Sequence, residues 1–177
     1  MQAVKTDFDS CVDLPAWLPR KDASYTGRVV FEGHDEFTTH VKCPHAVDVF
    51  VRGHEGMHVL DVPLARRVEI DCSESLCVVL APNAEEFILD YSSLKRLHLP
   101  RAKLVDIRSC YDLLEIIAPR ATRLRIRSCG SLTRLECPDV TEGEIILCGD
   151  AFPESDEAVL VPHRSPDGAV TWKRREI

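Results

Sequence analysis

The chain has 177 residues, 45% of them apolar and 29% charged, a composition that suits one globular domain and argues against disorder along its length. Its net charge of −7 disfavours indiscriminate nucleic-acid binding, and no apolar run approaches the length of a membrane span. The start, Met1 through Asp9, has no apolar h-region, so the eight cysteines are expected as reduced thiols of a cytoplasmic protein, or of a host cytosol if the chain is a delivered effector.

In chain order, residues 1–24 contain Leu14-Pro15-Ala16-Trp17-Leu18-Pro19 and no periodic register, and they read as an N-terminal cap. Residues 25–150 are periodic. Pro44, Pro63, Pro82, Pro100, Pro119 and Pro138 follow one another at intervals of 19, 19, 18, 19 and 19 residues. The second residue after each proline is small or short: Ala46, Ala65, Ala84, Ala102, Ala121 and Val140. The fifth and seventh are apolar, as in Val49/Val51, Val68/Ile70, Phe87/Leu89, Val105/Ile107 and Leu124/Ile126, and Gly143/Ile145 ends the series. The thirteenth and sixteenth are apolar again, as in Met57/Leu60, Leu76/Val79, Leu113/Ile116 and Leu132/Leu135, with Leu94/Leu97 in the short turn. A looser first turn without its proline places Val29, Phe31, His34 and Phe37 in the same roles.

The apolar-x-apolar pairs have the two-residue period of a strand with one face turned inward. One such strand cannot bury itself, whereas strands of successive turns can stack in parallel about 4.8 Å apart and share one core. Proline would mark the corner where the chain turns without donating a hydrogen bond. The fold class is therefore mostly β, a short-repeat parallel solenoid of six to seven 19-residue turns, with convex segments too short for useful helices. Residues 151–177 are expected to form a C-terminal hairpin cap and tail, with the turn at Pro166-Asp167-Gly168 and a frayed basic end from Lys173 to Ile177.

The segment Ala121-x-x-Leu124-x-Ile126-x-x-Cys129-x-x-Leu132-x-x-Leu135 resembles the cysteine-containing form of the leucine-rich repeat, and Ala102 through Ile116 repeats it. The resemblance covers roughly residues 25–150 and is most specific in the fourth and fifth turns. Alanine stands where the repeat's first leucine belongs, and the period is shorter than the usual 20–29 residues. A right-handed parallel β-helix is thus the alternative cross-section. The resemblance implies a protein-recognition surface, of the kind found with short repeats in bacterial effectors.

Cys110, Cys129 and Cys148 share the tenth position after their prolines and should stack, with no CxxC pairing to suggest zinc; they read as corner packing. His34 and His54 occupy the same corner earlier, and His40, His45 and His58 crowd that end without ligand spacing. No metal or cofactor is expected. Catalytic signatures such as Gly-x-Ser-x-Gly, a phosphate-cradling glycine loop or His-Glu-x-x-His are missing, so the chain is read as no enzyme. Asp71, Asp90 and Glu69 could mimic the carboxylates of a β-helix hydrolase, the least favoured alternative.

Outward strand residues should be the fourth, sixth and eighth after each proline. The fourth row, Arg28, Asp48, Arg67, Glu86, Leu104, Arg123 and Glu142, nearly alternates in sign and reads as a register-setting ladder. In the other two rows Arg125 is answered by Asp106 and Glu144, while Arg108 and Arg127 adjoin each other with Ile146 beyond, and so are expected unopposed. With outward Leu104, Ile88 and Phe50, and with Arg123 and Arg125, they form the candidate partner-binding face of a monomeric scaffold, be it effector, inhibitor or immunity-type protein. Residues 95–134 carry 10 bases against 3 acids, a net +7 belt that raises the alternative of an anionic polymer or nucleic acid.

Overall fold

The computed structural model describes residues 21–22, 27–32, 39–146, 148 and 159–175. Each coil contributes one long strand to a continuous sheet: β2 (Gly27–Glu32), β4 (Ala46–Arg52), β6 (Arg67–Ser73), β8 (Glu86–Ser92), β10 (Leu104–Arg108), β12 (Arg123–Arg127) and β14 (Glu142–Ile146). All these neighbours pair in parallel. The register joins Val49, Val68, Phe87, Val105, Leu124 and Gly143 into one file, and Val51, Ile70, Leu89, Ile107, Ile126 and Ile145 into the next. Apart from Gly143, every member of both files is buried, which makes the core a ladder along the axis rather than a cluster.

The opposite face of the coil is also stranded. There β1 (Lys21–Asp22), β3 (His40–Lys42), β5 (Val59–Asp61) and β7 (Val78–Leu80) form one parallel sheet, and β9 (Arg96–His98), β11 (Glu115–Ile117) and β13 (Arg134–Glu136) form another. The two sheets separate between β7 and β9, where the coil from Pro82 to Pro100 has one residue fewer and shifts the approach to β9. The molecule is thus a parallel β-solenoid of about six turns with strands on both faces.

Two corners join those faces, and they are made differently. At the first, the amide of the small residue donates to the carbonyl three residues back: Ala46 to Cys43 (3.3 Å), Ala65 to Val62 (3.1 Å), Ala84 to Ala81 (3.1 Å) and Ala121 to Ala118 (3.0 Å). These are β-turns with proline second, where its fixed φ already fits. The residue at this position is buried in every coil that has the proline, as alanine in five and as Val140 in the last. At the second corner the ninth residue after each proline is left-handed: Gly53 (φ 59°), Cys72 (52°), Tyr91 (54°), Ser109 (52°) and Ser128 (54°). A second β-turn follows it, seen in Leu76 N–H to Ser73 O (3.1 Å) and Leu132 N–H to Cys129 O (3.1 Å).

Lys21–Asp22, inside the stretch set apart as an N-terminal cap, already pair in the stack, while residues 1–20 and 23–24 of that cap lie outside the described residues, as do His34, Phe37 and residues 149–158. At the other end β15 (Leu160–Arg164) pairs antiparallel with β14, and β16 (Val170–Arg174) pairs antiparallel with β15. Gly168 (φ 89°) closes the intervening turn, its amide donating to Ser165 O at 2.9 Å. Leu160 and Trp172 pack on the core from this hairpin. Lys173 and Arg174 are strand residues and Arg175 donates its amide to Val159 O at 2.9 Å, so the tail is ordered through Arg175 rather than frayed.

Candidate functional site

The outward rows of the long strands hold three arrangements, which differ along the axis. At the β4 end, Phe50 points outward yet keeps only 8% of its surface, because the guanidiniums of Arg28 and Arg67 lie 4.3 and 5.6 Å from its ring centroid. The expectation of an open apolar Phe50 is therefore corrected: cation–π stacking closes it over. Arg67 also reaches Glu69 at 3.2 Å and Glu86 at 3.8 Å, and Arg52 reaches Glu32 at 3.8 Å. This end is locked by its own charges.

In the middle, Ile88 and Leu104 are half-buried, and Asp71 and Asp90 are register neighbours. Glu69, grouped with them above, is tied instead to Arg67. Among the described residues no three His, Cys, Asp or Glu side chains come together as a metal cage.

Toward the β14 end, Leu104, Arg123 and Arg125 line a depression of about 270 Å³. Asp106, Glu142, Glu144 and Arg175 complete its wall, and Val105, Leu124 and Gly143 belong to its floor. A methyl group added at Gly143 would overlap the Leu124 carbonyl oxygen, so β14 lies on β12 with no room for a side chain there. Among the described residues no ion pair closes between the register neighbours Arg123 and Glu142.

Arg108 and Arg127, expected unopposed, both have carboxylate partners. Arg108 donates to both oxygens of Asp106, at 3.0 and 2.7 Å, and Asp106 is buried beneath it. Arg127 pairs with Glu144, which Arg125 reaches at 4.0 Å and Arg175 at 3.6 Å. A guanidinium reaches two residues along its own strand or diagonally to the next, so the directly opposed residue does not decide its partner. Arg175 was missed for another reason: only the hairpin carries it back beside β14. Arg108 and Arg127 thus stand on the adjacent row as a paired rim, while Ile88 and Phe50 lie outside the depression's lining.

The basic belt does not form one patch. Arg96 and Arg134 sit on the second face, bound to Glu115 at 3.7 and 2.7 Å, and Lys103 beside the proline corner pairs with Glu85 at 2.8 Å. At the left-handed corner, Cys110, Cys129 and Cys148 are buried, as are His54, Ser73 and Ser92, which occupy the tenth position in the earlier coils. None of the three cysteines is in a disulfide. The Cys129 thiol is pushed up to about 12 by its hydrogen bond with Cys110, with burial adding to the shift and Cys148 opposing it. Burial pushes the Cys137 thiol up to about 12 as well. Such thiols supply little thiolate for nucleophilic or ligand chemistry.

No helix is long and apolar enough to cross a membrane among the described residues. No protein-family model, curated protein or solved structure matches this chain.

Proposed function

We propose that this solenoid is a non-catalytic interaction scaffold that docks an acidic segment of a partner protein in the depression between β10 and β14. The observation that carries this is the wall's Arg123, which pairs with no carboxylate among the described residues, and Arg125 and Arg175, which share the one carboxylate Glu144, beside half-buried Leu104. A carboxylate-bearing segment could pair with these guanidiniums while an apolar side chain covers Leu104, the combination of anchor and charged rim found at interfaces. Glu144 holds Arg125 and Arg175 in place, at 4.0 and 3.6 Å.

Nucleic-acid binding has weaker support, because much of the 95–134 belt is divided among faces and matched by internal carboxylates. A titration separates the two. The peptide acetyl-Glu-Glu-Leu-Glu-Glu-amide is expected to bind saturably, and Arg123→Glu with Arg125→Glu should weaken it at least about tenfold. A 20-nucleotide single strand should bind more weakly than the peptide. Equal peptide affinity in the charge-reversed protein overturns the docking site, and tighter binding of the single strand favours the polymer reading.

A further inference from the structure

The repeat supplies its own reference for what each position requires, and two tyrosines depart from it together. The ninth position is left-handed in five coils and holds Gly53, Cys72, Ser109 and Ser128, but in the coil after Pro82 it holds Tyr91 at φ 54°. A bulky side chain there is costly, and packing does not compensate it, since Tyr91 is 42% exposed. The eleventh position holds Glu55, Glu74, Ser93 and Gly130, whereas the next coil places Tyr111 there, 59% exposed. The corner turns in other coils without either ring, so neither tyrosine is needed to make it.

Both rings line one groove of about 130 Å³, together with Ser92, Ser109, Glu74 and Asp112. No lysine or arginine is in that lining. Among the described residues neither Glu74 nor Asp112 is matched by a cation, in contrast to Glu69, Asp106, Glu115 and Glu144 elsewhere on the solenoid. The neighbouring Cys72 thiol registers the same field: its hydrogen bond to Asp71 and slight burial raise it, and the charges of Asp71, Asp90 and Glu74 raise it further.

We infer that this groove is a second binding site, for the cationic side chain of a lysine- or arginine-bearing peptide, held between the Tyr91 and Tyr111 rings and the Glu74 and Asp112 carboxylates. Aromatic faces attract cations, and two unmatched carboxylates supply the counter-charge. Its volume accommodates one ammonium or guanidinium with part of its stem, and the Ser109 hydroxyl can accept a donated hydrogen. This site lies on the left-handed corner, apart from the strand-face depression, and its ligand has the opposite charge.

Three probes test it by calorimetric titration: acetyl-Gly-Lys-Gly-Lys-Gly-amide, the same peptide with both lysines acetylated, and spermidine. The lysine peptide should bind saturably and the acetylated one should not. Tyr91→Ser with Tyr111→Ser, residues the repeat itself uses nearby, should weaken lysine-peptide binding about tenfold without lowering Tm. Glu74→Gln with Asp112→Asn keeps both rings and should also weaken binding and flatten its salt dependence. Equal binding of the acetylated peptide, unchanged affinity in both double variants, or spermidine binding tighter than the peptide would each overturn the assignment. Acidic-peptide affinity should be untouched by these variants, which separates this site from the strand-face depression.

Discussion

The two ends of the long-strand sheet begin from the same repeat and finish differently. At the β4 end an outward phenylalanine is roofed by two arginines, of which Arg67 is held by Glu69 and Glu86. Near the β14 end an outward leucine is left half-covered, and Arg125, Arg127 and Arg175 gather on one half-buried carboxylate, Glu144. Outward apolar residues therefore serve opposite purposes on one sheet. At the closed end the guanidiniums come within 4.3 and 5.6 Å of an aromatic ring, and at the open end Arg125 and Arg127 turn to Glu144 and leave the leucine half-covered.

The largest effect should come from the open end's floor. Gly143→Ala forces a methyl into the Leu124 carbonyl and should cost about 3 kcal/mol or more, read as a lowered urea midpoint. The difference between the ends is sharpened next by a matched pair. Phe50→Ala removes a buried ring and should cost about 2 kcal/mol, while Leu104→Ala should cost under about 1 kcal/mol yet weaken acidic-peptide binding. If Leu104→Ala proves as destabilising as Phe50→Ala, the two ends are not distinct. The smallest effect belongs to the left-handed corner. Ser109→Gly and Ser128→Gly relieve a cost of about 1–2 kcal/mol against a greater unfolded-chain entropy, so each should raise stability by up to about 1 kcal/mol in thermal melts.

The proline corner could be read directly from the sequence, because proline and its small partner are there for one reason each, a fixed φ and burial in the core. The inward files were equally legible, since the two-residue period of Val49/Val51 or Leu124/Ile126 has one physical cause. The left-handed corner was not: Gly53, Cys72, Tyr91, Ser109 and Ser128 share a backbone conformation but no side-chain chemistry. Its buried neighbours Ser73 and Ser92 take the place of the cysteines in the earlier coils, and serine alone carries no sign of burial. Of the candidate face, the sequence placed Leu104, Arg123 and Arg125 on one surface and the structure brings them into one depression. Which arginines were free was not legible, because the pairing of Arg108 with Asp106 and of Arg127 with Glu144 depends on side-chain reach across rows.

The most direct measurement is a chemical-shift map of the isotope-labelled protein titrated with acetyl-Glu-Glu-Leu-Glu-Glu-amide. Docking at the open end predicts perturbed amides at Leu104, Val105, Arg123, Leu124 and Gly143, and unmoved ones from Val49 to Arg52. Perturbations centred on Phe50, or spread evenly along the sheet, would contradict it.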